Sequence, residues 1–173
     1  ANAIGDRIDA SPVIPALVKA GWLGRKTGTG FYRYNSTGHD AKIECVNEKL
    51  GDLIDPYRLS EQQMTDDQIC DRLFLPMLLE SLLVLDEGIV RDGCDIDLAV
   101  IHALGFPAFR GGVLAWGDSI GAAEVIRRLD QFNYLGPRMT PPARLLVHAE
   151  SGRPFTAAEE AGDHPGKLLK GKK

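Results

Sequence analysis

Three features of this 173-residue chain predict an all-α fold. Capping residues stand ahead of long apolar stretches, glycines close those stretches at helical lengths, and no alternating apolar pattern of strand length stands out. The composition agrees with a folded body. Hydrophobic residues make up 44% and charged residues 25%, which is ordinary for a globular chain and too apolar for a disordered one. The length fits one domain or two small ones and leaves no room for separate nucleotide and substrate domains.

Ser11-Pro12 opens the first helix, because serine can satisfy a free amide and proline at the first helical position loses no intrahelical bond. Gly21 stops it, and Val13, Ile14, Ala16, Leu17 and Ala20 form a stripe that needs another surface to cover it. The run GWLGRKTGTGFYRYN follows, with Gly24, Gly28 and Gly30 around Arg25 and Lys26. It reads as a tight loop leading into a short extended arm of Phe31, Tyr32 and Tyr34. Residues 35–60 are polar and irregular, with NSTGHD as a surface loop and Glu44 to Leu50 as a short helix, and read as a linker between two packed units.

Thr65 and Gln68 have the spacing of a capping box, so a long helix should start there. Its apolar residues, from Ile69 through Leu78 and Leu82 to Val90, are too many for one face, which predicts a helix surrounded by others. Pro76 should kink it and Gly93 end it. Asp95 caps a shorter helix, Ile96 to Leu104, stopped by Gly105 ahead of Pro107. GFPAFRGGVLAWGD then reads as a loop held by its own side chains. Ser119 caps a helix to about Phe132, and Thr140 caps a last one that begins near Pro141-Pro142 and ends before Gly152. From about Ser151 onward the chain turns polar and small, as a fraying tail does.

Lys and Arg number 20 against 24 Asp and Glu, a net charge of −4, so no excess of cations is available for a phosphate backbone and nucleic acid is not an expected partner. No apolar run approaches the roughly 20 residues that span a bilayer, and the first residues lack a basic stretch followed by an apolar one, so a cytoplasmic protein is expected. Cys45, Cys70 and Cys94 show no CxxC pairing and read as reduced thiols, mostly in the core. Trp22 and Trp116 read as core filling.

Chemistry has few candidates. Lys26 and Arg25 in their glycine-rich loop could meet a phosphate, but neither GxxxxGK[ST] nor GxGxxG is present, and a helix stop with exposed cations is the plainer reading of the residues alone. Among His39, His102, His148 and His164 there is no HExxH and no recognisable nucleophile setting, so no metal is expected. His102 lies inside a helix beside a glycine-rich bend. There a partly buried residue favourable to the helix C-terminus competes with a catalytic base. Arg72 and Glu80 on the long apolar helix read as a buried pair that fixes packing.

Two stretches carry a resemblance. LVKAGWLGRKTGTGFYRY, of the form GxxGxKxGxGFYxY, resembles the end of the helical domain of the 3-hydroxyacyl-CoA dehydrogenases. DRLFLPMLLESLLVLDEGIVRDGCDIDLAVIHALGFPAFRGGVLAWGDSIG then resembles the second copy of that domain found in the multifunctional bacterial members of the family, whose α-subunits act in fatty-acid oxidation. YLGPRMTPPARLLVHAESGRPF is similar to their closing segment, so the likeness covers about residues 12–155.

The resemblance implies a helical bundle of the 3-hydroxyacyl-CoA dehydrogenase C-terminal type, also described as 6-phosphogluconate dehydrogenase C-terminal-like. It divides the chain into the tail of a first helical repeat (1–34), a linker (35–60), a second repeat (61–150) and a C-terminal tail (151–173). It implies NAD-dependent oxidation of (S)-3-hydroxyacyl-CoA to 3-oxoacyl-CoA by a parent chain that also hydrates enoyl-CoA. The NAD domain and the catalytic His and Glu would precede Ala1, so no catalytic residue is assigned here. By position in the motif, Lys26 corresponds to a lysine that contacts NAD, and His102 stands where the α-subunits have a substrate-contacting Tyr. Asp71 stands where the first repeat has a substrate-binding Asn, a departure that fits a copy kept for packing. The expected partners are acyl-CoA, the N-terminal remainder of the chain, and a thiolase β-subunit or a second copy. A helical packing or oligomerisation module without chemistry is the alternative.

Overall fold

The computed structural model describes residues 11–58 and 63–157, and the chain divides into two compact units, residues 11–58 and 64–157, each described by itself. Seven α-helices and one two-stranded sheet are found among the described residues, so the all-α expectation is borne out apart from a hairpin.

In the first unit α1 spans Val13–Lys19. The Ser11 Oγ accepts from the Val13 N–H at 3.3 Å, as its position at the helix start implies. Gly21 takes a φ of 73°, which lets Trp22 N–H donate to the Leu17 carbonyl at 2.9 Å and close the helix. The extended arm is β1, Tyr32–Tyr34. It pairs antiparallel with β2, Ile43–Val46, placing Tyr32 opposite Val46 and Arg33 opposite Cys45. The region read as an irregular linker therefore holds a strand where a helix from Glu44 was expected, and the helix α2 comes later, at Leu50–Ile54. Four residues exposed on both faces carry no alternation, so β2 leaves no periodic signal. Its pairing is set by a partner strand and by Asn47, which is buried. The Asn47 side-chain amide donates to the Gly30 carbonyl at 2.9 Å, and its N–H donates to the Phe31 carbonyl at 3.1 Å.

The second unit is built around α3, Asp66–Asp86. The capping box forms as read, with the Thr65 hydroxyl accepting from Gln68 N–H at 3.2 Å and the Gln68 side chain accepting from Thr65 N–H at 3.0 Å. Leu75, Leu78, Leu79, Leu82 and Leu85 are buried along one face, Pro76 sits inside the helix, and Ile69 and Leu73 are exposed, so α3 borders the core and is not surrounded by other helices as the count of its apolar residues suggested. The helix stops at Gly88 rather than Gly93. Gly88 is the first glycine it reaches and takes a φ of 66°, and Ile89 beyond it is exposed.

Helix α4 is Gly93–Leu104, capped by Asp92, whose carboxylate accepts from Cys94 N–H at 2.9 Å; Asp95 falls in its first turn. Gly105 ends α4 as expected, at a φ of 72°. The stretch read as one long loop is a turn followed by α5, Val113–Ile120, so Trp116 is helical and buried. Helix α6, Ala122–Asp130, starts after Gly121, while Ser119 donates back to the Trp116 carbonyl at 2.6 Å instead of capping forward. Helix α7, Ala143–Ser151, follows Pro142, with no side-chain cap from Thr140.

The beginning of the expected tail is anchored: Phe155 is buried, and Asp118 accepts from the Phe155 and Thr156 N–H groups and from the Thr156 hydroxyl. Residues 158–173 lie outside the described part. The three cysteines are free, as expected, but all are exposed rather than in the core. Trp22 is only half-buried.

Candidate functional site

Lys26 sits in the loop between α1 and β1. The loop is closed by Gly24 N–H donating to the Thr29 carbonyl at 2.8 Å and by Leu23 N–H donating to the Thr27 hydroxyl at 2.9 Å. Glycine at position 30 is obligatory, since a Cβ there would lie 2.9 Å from the Gly24 Cα. The exposed lysine stands at an open, mainly apolar cleft of about 470 Å³, lined among others by Ile14, Leu17, Trp22, Phe31 and Tyr34. A cation beside aromatic walls can take an anionic group attached to a flat apolar one.

His102 lies in the last turn of α4, where a cation is favoured by the helix dipole. It is exposed, not partly buried. Beyond it Phe106 packs edge-on against Phe74 at 5.2 Å, and Phe74 against Trp116 at 5.7 Å, which fixes the start of the turn. Lys26 and His102 belong to different units.

Asp71 is buried and bonded to Arg128 Nη1 at 3.1 Å, and Arg128 Nε reaches Glu124 at 2.9 Å. Glu124 also grips Arg127, at 2.7 Å and 2.6 Å. The hydrogen bonds from Arg127 and Arg128 lower the Glu124 carboxyl to about 2. Asp71, Arg127 and Arg128 line a polar cleft of about 300 Å³ together with Asp67, Gln68 and Gln131. The network is internally neutralised, so it is suited to holding α3 against α6. The buried charge of α3 is thus Asp71, and at the helix's far end the half-buried Asp86 accepts from the buried Arg144 Nε at 2.6 Å. Arg72 and Glu80, expected as the buried pair, are half-buried; burial, and then Arg138, lower the Arg72 pKa.

The sequence reading also missed a carboxylate between α4 and α5. Asp97 on α4 is buried, and its carboxylate accepts from Leu114 N–H at 2.7 Å and Ala115 N–H at 3.2 Å, capping α5 from another helix. Desolvation raises its pKa, against the opposing pull of those amides. The signal was indirect: α5 begins at Gly112, which has no side chain to cap with, so its free amides require an acceptor from elsewhere.

No family model matches the chain. Curated relatives do match. The fatty acid oxidation complex subunit alpha of Ectopseudomonas oleovorans is 34% identical over 142 residues, 82% of this chain and 20% of that protein. Subunits of the same name from Pseudomonas savastanoi pv. phaseolicola and Pseudomonas syringae pv. syringae are each 36% identical over 158 residues, 90% of this chain and 22% of theirs. This chain is a relative of the fatty acid oxidation complex alpha subunit. It spans about a fifth of the length of the alpha subunits it matches. The resemblance read from the motifs is borne out. No helix among the described residues is long and apolar enough to cross a membrane.

Proposed function

We propose that this chain is the C-terminal part of a cytoplasmic fatty-acid β-oxidation enzyme. The parent oxidises (S)-3-hydroxyacyl-CoA to 3-oxoacyl-CoA with NAD and also hydrates enoyl-CoA. The observation that carries this reading is the similarity to alpha subunits across 82–90% of the chain. In this assignment the dinucleotide-binding domain and the catalytic His and Glu belong to the preceding portion of the parent. The chain described here, a bundle of the 3-hydroxyacyl-CoA dehydrogenase C-terminal type, supplies contacts. NAD supplies the hydride acceptor when bound. Lys26, an exposed cation at an aromatic-lined cleft, fits one contact to that dinucleotide. His102, exposed at the end of α4, fits a contact to the acyl-CoA.

The test compares NADH formation from a 3-hydroxyacyl-CoA by the 173-residue chain and by the full-length gene product that contains it. Turnover is expected from the longer protein and none above a heat-denatured control from the shorter. Absence of turnover in the longer protein overturns the reading.

The reading as a packing module keeps one observation in its favour. Ile14, Val18, Leu23, Phe31 and Tyr32 are all more than 40% exposed in the first unit, a surface that suits the N-terminal remainder, a second copy or a thiolase subunit. Concentration-dependent light scattering by the 173-residue chain is the expected sign; a strict monomer without dye binding counts against it.

A further inference from the structure

The turn between α4 and α5 is pinned at both ends. At its start Phe106 is buried against Phe74. At its end the Asp97 carboxylate holds the first amides of α5 at 2.7 Å and 3.2 Å. The backbone passes through two consecutive glycines in the left-handed half of φ space, Gly111 at 81° and Gly112 at 120°. Such a pair is the most flexible stretch a chain can have unless something holds it. Here the hold is tight: a Cβ on Gly112 would lie 2.2 Å from the Asp97 Cγ, so any side chain at 112 displaces the carboxylate.

Between the pins the turn presents two groups to solvent. Phe109 is 85% exposed, the highest value among the large hydrophobic residues described. The Arg110 guanidinium stands 5.5 Å from its ring centroid, and no carboxylate pairs with that arginine among the described residues. An exposed aromatic face beside an uncompensated guanidinium matches a ligand that carries phosphates and a flat base. A CoA thioester has both. His102 precedes the turn on the same helix as Asp97.

We propose that Asp97 is a positioning residue for a CoA thioester: by clamping residues 105–112 between α4 and α5 it fixes the Phe109–Arg110 pair as a ligand-facing surface following the helix that carries His102. Asp97 itself is buried and does not touch the ligand; it acts by removing the freedom of the Gly111-Gly112 turn, which the ligand otherwise has to freeze on binding. The inference rests on the assignment of acyl-CoA as the substrate under Proposed function.

The experiment is calorimetric titration of the 173-residue chain with acetoacetyl-CoA at a temperature well below its melting point. His102→Ala and Arg110→Ala are each expected to weaken binding about fivefold, the worth of one hydrogen bond or more. Asp97→Ala is expected to weaken it by at least as much without being a contact. Asp97→Asn, which keeps one acceptor oxygen for the α5 amides, should recover part of that loss. Faster hydrogen exchange at the Leu114 and Ala115 amides, with the α3 amides still protected, ties the loss to the clamp and not to unfolding. If Asp97→Ala does not fold, Asp97→Asn against wild type carries the test through the same two readouts. Asp97 variants that exchange faster yet bind as wild type, while His102→Ala or Arg110→Ala binds more weakly, overturn the positioning role and leave the acyl-CoA reading standing. No binding by the wild-type chain, or binding unchanged in both His102→Ala and Arg110→Ala, overturns the positioning role, while the acyl-CoA reading is decided separately by turnover of the longer protein.

Discussion

The two units differ in what holds them. The second encloses a contiguous core in which Leu75, Leu78, Leu82, Val113, Leu114, Val125, Leu129 and Leu145 are fully buried. Among the described residues of the first unit only Leu17 and Ala41 are buried side chains of apolar type, while Ile14, Val18, Phe31, Tyr32, Ile43 and Val46 are exposed. The first unit is organised instead by backbone bonds: the glycine loop, the β1–β2 pairing and Asn47, which bridges to Gly30 and Phe31. Polar bonds of this kind contribute little net stability each, because water offers the unfolded chain the same partners, whereas burial of a leucine contributes about 1.5–3 kcal/mol. One unit carries its own stability and the other carries a shape.

The sharpest way to break that contrast is to delete matched apolar side chains. Leu78→Ala in α3 should cost about 2–5 kcal/mol in urea unfolding, since the site is fully enclosed and a cavity remains. Val18→Ala in α1, at a position 57% exposed, should stay within about 0.5 kcal/mol. Equal losses at the two sites would mean that the first unit has a core of its own.

A smaller effect is expected from the bridge in the first unit. Asn47→Ala strands the Gly30 carbonyl and should cost about 1–2 kcal/mol locally, seen as faster exchange at the loop and hairpin amides with the melting of the second unit unchanged. A global loss would show that the hairpin is part of the main cooperative transition.

The smallest effect is electrostatic and lies on the surface of the second unit. The Glu124 pKa is lowered from 4.5 to about 2 by hydrogen bonds from Arg127 and Arg128. A carboxyl depressed in the folded state contributes stability that is present above its unfolded pKa and lost as pH falls toward its folded one. Glu124→Gln should therefore flatten the decline in stability between about pH 4.5 and 2, measured by denaturant unfolding across that range. An unaltered acid limb would show that solvent screens the network.

Local signals were legible and remote ones were not. Thr65 with Gln68, Gly21, Gly105 and Gly152 were readable because each cap is completed within a few residues of chain. The errors fall where near neighbours compete for a cap or where the partner is distant. Asp92 and Gly121 took the capping roles expected of Asp95 and Ser119, a choice between near neighbours that backbone conformation decided. β2 was unreadable because its pairing is its only order. Of the site, Lys26 and His102 were legible only as motif positions, and their exposure came from the structure.

The sequence by itself determined the helical class, the core helix α3 with its capping box, the glycine stops of α1, α4 and α7 and the relationship to the alpha subunits, because helical periodicity, capping and motif spacing are properties of contiguous residues. Only the tertiary structure decided that Asp97 caps α5 across a turn, that Asp71 is neutralised by Arg128, that Asp118 anchors Phe155 and that Phe109 faces water. Each of these joins or separates groups far apart in the chain, and a buried carboxylate gives no sign in sequence of which distant donor will satisfy it.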